Sequence, residues 1–397
     1  MKIIFFIKNS VFCYILSMKD YVCPRCNCSD EKYIGLLNGK YYCRRCISSS
    51  GTQCDLNYNV IEGKCYLDYS LSDDQMRISN ALIDNFKEGK NAIIHAVTGA
   101  GKTELVFGLI EYCLNKHLHV GFAVPRVDIV RELYDRFCVA FKDNKICSVY
   151  GEHCLELNGD IIVLTTHQLY RYEGYFDLLI LDEIDAFPYR KNEMLHQFFK
   201  KSIRGNYVLM SATLSDNDIK EMNDNGGTVF KLFKRYHGKK LVVPKYIKES
   251  VFPRFQILLT LKKFITSNKP VFIFAPTISI VENLGIFLRI FFRCGMYVSS
   301  KSQHRKEIIE RFKQGHYKYL VTTSILERGV TVKNLQVMVY QADSDIYDKS
   351  TLVQIAGRVG RKKDASGGEV IFYGKEKTRD ISDSIEEIQR FNKEAGL

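Results

Sequence analysis

From about residue 71 onward the chain alternates two patterns. Short continuous apolar runs at 92–97, 120–124, 161–164, 178–181 and 207–209 are bounded by turn residues, with stretches of helical periodicity between them. Continuous rather than alternating apolar runs suit parallel strands covered on both faces. The same rhythm resumes at 271–274, 319–321, 337–340 and 370–372. Between the two series, 238–252 holds Gly238, Pro244 and several lysines, with Pro253 just beyond, as a linker might. The pattern predicts an α/β protein: two parallel-sheet blocks in tandem, 67–242 and 243–397, each with flanking helices. The first helix is predicted over 72–87 with Ser72 as its N-cap, and another over 104–113.

Residues 1–66 break this rhythm. The opening MKIIFFIKNSVFCYIL is apolar, but Lys8 and Asn9 interrupt it and no small-residue cleavage site follows. It predicts a strand pair packed on a neighbouring domain rather than a secretory leader. No uninterrupted apolar span of about 18 residues occurs, so no transmembrane helix is expected.

Composition adds two constraints. The 397 residues carry a formal net charge of +12, which points to a polyanionic partner, most simply nucleic acid or an anionic membrane surface. The 13 cysteines are odd in number, and the chain is neither short nor loop-rich, which places it in a reducing cytosol. Cys113, Cys138, Cys147 and Cys294 stand singly in apolar runs and read as buried thiols.

Candidate chemistry begins where the first apolar run ends. Thr98-Gly99-Ala100-Gly101-Lys102-Thr103 joins a predicted strand to a predicted helix, the setting a phosphate-binding loop requires. Glycines let backbone N–H groups curl toward phosphate oxygens, and the helix N-terminus adds its dipole. Lys102 is placed to reach the β- and γ-phosphates of ATP, and the Thr103 hydroxyl to hold Mg²⁺. Ala96 stands where the strict pattern has glycine. Further on, an apolar run ends in Asp182-Glu183-Ile184-Asp185. Carboxylates at the C-terminal end of a parallel strand lie where ligands bind. Asp182 is placed to hold Mg²⁺, and Glu183 to orient or deprotonate the attacking water. In the second block, Gln354-Ile355-Ala356-Gly357-Arg358-Val359-Gly360-Arg361 sets two arginines three apart, predicted to share a helical face. Such cations suit the charge developing on a γ-phosphoryl group. Gly357 and Gly360 weaken a helix and suggest close backbone approach.

Near the N-terminus, Cys23-Pro24-Arg25-Cys26 and Cys43-Arg44-Arg45-Cys46 form two CxxC knuckles separated by 16 residues, 27–42. That spacing predicts a four-cysteine Zn²⁺ module over about 21–48, within the N-terminal region 1–66. Cys28, Cys54 and Cys65 are competing ligand candidates. Tyr41 and Tyr42 either stack on bases or fill the module's small core.

These motifs together resemble a superfamily 2 helicase, and more narrowly the competence DNA-uptake ATPases of the ComFA family, over essentially the whole chain. AVTGAGKTE (96–104) matches motif I, FAVPRVDIVREL (122–133) resembles motif Ia, and TTHQL (165–169) the Ib/Ic region. LDEIDAFPY (181–189) is similar to motif II, SAT (211–213) to motif III and VFIFAPTI (271–278) to motif IV. TTSILERGVTV (322–332), with Gly329, resembles motif V, and QIAGRVGR (354–361) motif VI. Leu71-Ser72 with Gln75 looks like the adenine-sensing Q motif. The resemblance implies two RecA-like lobes with ATP between them. Lobe 1 would supply Lys102, Thr103, Asp182 and Glu183. Lobe 2 would supply Arg358 and Arg361, with Arg361 as the finger, and Ser211 and Thr213 would link ATP to the track. It further implies a single-stranded DNA translocase in the cytoplasm, working beside other uptake proteins at the inner face of the membrane. Rival readings are a replication-restart or repair helicase resembling PriA, an RNA helicase, and an ATP-gated binding protein that does not move.

Overall fold

The computed structural model describes residues 21–299, 301–323 and 332–397. The expected N-terminal strand pair and Gly329 lie outside the described residues. Two short strands, β1 (Ile34–Leu37) and β2 (Lys40–Cys43), pair antiparallel in the cysteine module. Helix α1 (Asp73–Lys87) follows, with the expected Ser72 cap. The Ser72 hydroxyl accepts from the Gln75 N–H, and the Gln75 side chain answers to the Ser72 N–H, a reciprocal cap that satisfies two orphan donors.

The first large sheet has seven strands in the order β5-β6-β4-β7-β8-β3-β9. They are β3 (Ala92–Ala96), β4 (Val120–Val124), β5 (Ile146–Val149), β6 (Ile161–Thr165), β7 (Phe176–Asp182), β8 (Ile203–Ser211) and β9 (Thr228–Leu232). Every pairing in it is parallel. Its helices are α2 (Lys102–Leu105), α3 (Phe107–Leu114), α4 (Val127–Ala140), α5 (Glu193–Ser202) and α6 (Asp216–Asp224). The helix expected over 104–113 is broken at Val106 into α2 and α3.

The second sheet has six strands, β10-β15-β14-β11-β13-β12, again all parallel. They are β10 (Lys245–Lys248), β11 (Val271–Phe274), β12 (Gly295–Val298), β13 (Tyr319–Thr322), β14 (Gln336–Val339) and β15 (Val370–Gly374). Helices α7 (Pro253–Thr266), α8 (Ile278–Phe291), α9 (Arg305–Lys313), α10 (Lys349–Ala356) and α11 (Arg379–Glu394) cover it. These are the two parallel-sheet blocks that the apolar runs predicted, and the two RecA-like lobes that the resemblance implies.

Alternate residues of each strand feed opposite cores. In β7, Leu178 and Ile180 join a core that continues into lobe 2 through Phe272 and Val337. Leu179 and Leu181 instead join the core beneath the cysteine module. On lobe 2, Ile273, Val321 and Met338 pack under α7 and α8. Cys113 and Cys147 are buried as expected, whereas Cys138 and Cys294 are only partly covered, because each sits at the margin of a helix or loop packed on one side. No helix among the described residues is long and apolar enough to cross a membrane.

Candidate nucleotide site and cysteine cluster

The C-terminal ends of β3 and β7 open on one cleft between the lobes, with about 180 Å³ of free volume. Gly99 (φ 82°) and Gly101 (φ 78°) give the loop after β3 its left-handed turns, which side-chain-bearing residues rarely adopt. A Cβ at Gly101 would meet the Gln75 amide nitrogen at 2.4 Å. Lys102 Nζ lies 3.7 Å from Asp182 Oδ1, across the cleft floor. Burial raises the Asp182 carboxyl above its ordinary range, against the opposing pull of Lys102. The Thr103 hydroxyl accepts from Arg136, whose guanidinium also pairs with Glu104. Gln75 is engaged at both ends: its amide N–H donates to the Ala100 carbonyl at 2.8 Å and its amide oxygen accepts from Ser72. It therefore meets the loop through backbone.

Glu183 takes a left-handed conformation (φ 57°), and its N–H donates to Asp182 Oδ1 at 2.8 Å. This sharp turn at the strand end puts adjacent carboxylates to separate uses. Asp185, singled out by sequence only as part of the acidic run, is the junction of the site. Its Oδ1 accepts from the Ser211 hydroxyl at 2.8 Å. Its Oδ2 accepts from Thr213 and Ser350 hydroxyls, both at 2.7 Å, and from the Gln354 amide at 2.6 Å. Burial alone would raise its carboxyl; hydrogen bonds from Ser350 and Thr213 and the charge of Lys102 hold it below the ordinary range instead. Ser211 and Thr213 come from lobe 1, Ser350 and Gln354 from α10 of lobe 2. One carboxylate thus joins three separated sequence stretches. The signal was present in the sequence, a third carboxylate at the same strand end, but not its partners.

Arg358 and Arg361 both line the cleft opposite the phosphate loop. Their spacing predicts a shared helical face, but they do not lie on a helix. Helix α10 ends at Ala356 with Gly357 as its C-cap, and Gly360 (φ 71°) turns the chain. The turn is needed because this backbone abuts lobe 1: a Cβ at Gly357 would stand 1.9 Å from the Thr98 hydroxyl. Close approach, expected from the glycines, is therefore present. Burial lowers the Arg361 guanidinium from its usual value, and its Nε donates to the Gly357 carbonyl at 3.2 Å. A further arginine, Arg235, reaches the same turn from lobe 1 and was not foreseen.

The Sγ atoms of Cys23, Cys26, Cys43 and Cys46 all lie within 4.8 Å of one another, and all four residues are buried. Sulfur pairs stand 3.5 Å apart (Cys23–Cys46) and 3.7 Å apart (Cys26–Cys43). A tetrahedral ion with Zn–S near 2.3 Å needs sulfurs about 3.8 Å apart, so the set fits zinc. Cys28, Cys54 and Cys65 are not in the cluster. The module docks on lobe 1: Arg45 pairs with Glu193 at 3.0 Å, Asn27 donates to Gln197 at 2.9 Å, and Arg171 donates to the Thr52 carbonyl at 2.7 Å. Tyr42 packs against Gly35, and Tyr41 against the Tyr21 ring at 5.4 Å, so both rings are used inside the module.

Comparison with known proteins agrees with this geometry. Residues 68–216 match the family described as type III restriction enzyme, res subunit, and residues 255–363 the helicase conserved C-terminal domain. Among solved structures, Saccharomyces cerevisiae Dbp5 bound to RNA and ADP BeF3 overlays with a TM-score of 0.59 at 17% identity, covering 81% of this chain and 92% of that one. That likeness is one of fold. The Competence protein ComFA of Streptococcus pneumoniae R6 is 35% identical over 94% of this chain and 91% of its own length. That of Bacillus subtilis 168 is 34% identical over 95% and 87%. The chain is an ATPase of the superfamily 2 helicase type, and it belongs to the ComFA family of competence proteins.

Proposed function

We propose that this chain is an ATP-driven translocase on single-stranded DNA that powers DNA uptake in competence. The observation that carries the reading is the shared cleft: Lys102, Asp182 and Glu183 from lobe 1 face Arg358 and Arg361 from lobe 2. ATP is the substrate, gripped by the backbone of 98–103 and by Lys102. Thr103 and Asp182 would hold Mg²⁺, whose charge neutralises the phosphates. Glu183 orients the attacking water and accepts its proton. Arg361, with Arg358 beside it, stabilises the charge developing on the γ-phosphoryl group. Asp185 passes the state of the cleft to Ser211 and Thr213, and closure and reopening of the lobes step the strand along.

In this reading 67–242 and 243–397 are the two motor lobes and 1–66 the N-terminal region. Cys23, Cys26, Cys43 and Cys46 hold one Zn²⁺ that folds the module too small to stand on its core alone. The motor works in the cytoplasm beside other uptake proteins at the inner membrane face. The test is ATPase rate measured side by side with no nucleic acid, single-stranded DNA, blunt duplex DNA and RNA of matched sequence. Single-stranded DNA should stimulate most. Equal or greater stimulation by RNA would overturn the DNA reading and leave the motor reading standing.

A further inference from the structure

Arg235 is 2% exposed and lies in lobe 1, just beyond the end of β9. It does not line the nucleotide cleft. Its Nη1 donates to the carbonyls of Val359 and Gly360, both at 2.7 Å, and its Nη2 to that of Gly357 at 2.9 Å. Its Nε donates to the carbonyl of Thr98, in the phosphate loop, at 3.2 Å. The His237 ring adds a contact to the Gly360 carbonyl at 2.9 Å. One guanidinium therefore touches the backbone on both sides of Arg358, immediately before Arg361, and at the mouth of the phosphate loop.

A helix leaves its last carbonyls unpaired and gathers negative partial charge at its C-terminus, so a cation is welcome beyond Ala356. Capping alone, however, asks for one or two bonds from a nearby side chain. Here the cation comes from the other lobe, more than 120 residues away in sequence. Burial, with Arg361 close by, pulls its guanidinium down to about 9. Burying a charge whose recorded hydrogen bonds all end on carbonyls is costly. What the arrangement secures is the shape of the 357–361 turn, from which both cleft arginines project. Only a planar fork can address three carbonyls of that turn and a fourth outside it; a lysine ammonium cannot.

We propose that Arg235 is a positioning residue for ATP hydrolysis, holding the 357–361 turn so that the arginines of lobe 2 face the phosphate loop of lobe 1. This rests on reading Arg358 and Arg361 as the cations that act on the γ-phosphoryl group. The experiment measures kcat and nucleotide affinity, the latter with a fluorescent ATP analogue, in Arg235→Ala, Arg235→Lys, Arg358→Ala and Arg361→Ala. Misplacement of reacting groups by roughly 1 Å costs on the order of 10²-fold, so Arg235→Ala should lose about that in kcat with nucleotide affinity changed less than about threefold. Arg235→Lys keeps charge and bulk and should remain as impaired. Millimolar guanidinium should restore turnover to Arg235→Ala, and methylammonium at the same concentration should not. Native turnover in Arg235→Lys, rescue by both cations, or joint collapse of kcat and nucleotide affinity in Arg235→Ala would overturn the proposal. Loss in Arg361→Ala or Arg358→Ala without loss in Arg235→Ala would sink this inference alone. The reverse pattern would sink the reading of the cleft arginines.

Discussion

Glu183 and Asp185 stand two residues apart at the end of β7, and isosteric amides separate what each does. Glu183 lines the cleft and is half-buried there. Glu183→Gln should bind ATP normally, lose turnover and melt within about 1–2 °C of the native chain, since the amide keeps the size and shape of the carboxylate. Asp185 accepts four hydrogen bonds from two lobes. Asp185→Asn removes one charged acceptor and turns an N–H₂ toward donors. Breaking charged, buried hydrogen bonds should cost about 2–3 kcal/mol, seen as a melting point lower by roughly 5–10 °C, together with loss of nucleic-acid stimulation. Because the Asp185 carboxyl is held below the ordinary range, its contribution is fully present above that range and is lost as the pH falls through the lowered native value. A melting series of both variants against pH tests this, and equal melting of the two would remove Asp185 from the junction role. Residue identity was legible in the sequence where chemistry is local: a loop between strand and helix, or a carboxylate after a strand. Asp185 and Arg235 were not, because their meaning lies in partners more than 120 residues away.

At the scale of elements, the reading succeeded where an element is buried on both faces. Strands β3, β4, β6, β7, β11, β13 and β14 carry fully buried runs and were found from the pattern of apolar positions. The sheet-edge strands were not. β9 and β10 mix exposed lysines with half-buried residues, because an edge strand has a neighbour on one side only. The arginine turn was misread as helix because two residues three apart fit a helix equally well, and only the contact of Gly357 with Thr98 decides. The cysteine module is the element whose stability depends least on its core. Its strands are four residues each, and its paired thiols supply what packing cannot. Elemental analysis should find one Zn²⁺ per chain. Cys23→Ala or Cys46→Ala should lose it while the ATPase lobes stay folded, since each lobe is built on its own parallel sheet. Stoichiometric zinc in both variants would rule out this ligand set.

At the scale of the whole molecule, the contacts between the two lobes include apolar and polar ones. Next to the cleft, α11 of lobe 2 grips lobe 1 and the linker: Phe391 stacks on Phe233 at 4.7 Å, and Asn392 exchanges hydrogen bonds of 2.8 and 2.9 Å with the Leu241 backbone. At the cleft, contact runs through small polar groups around Asp185 and through carbonyls held by Arg235. Apolar stacking tolerates small rotations, whereas directional hydrogen bonds weaken steeply with misalignment. Opening should therefore pivot on the α11 side and break the polar side. On the proposed function, a strand lying across both lobes should then change its phosphate contacts with the nucleotide state. The net charge of +12 favours binding through phosphates, and each such contact should release counterions. Affinity for single-stranded DNA should fall with salt at a log–log slope of about −0.7 per phosphate contacted, so roughly −4 for six contacts. The slope should be steeper with a non-hydrolysable ATP analogue than with ADP, and alike for strands of unrelated sequence, because a motor must release every base it passes. Fluorescence anisotropy across a salt series, in both nucleotide states, measures this. A flat dependence would remove phosphate tracking. Identical slopes in the two states would mean that lobe closure does not reseat the strand, and the coupling drawn through Asp185 would have no output on the nucleic acid.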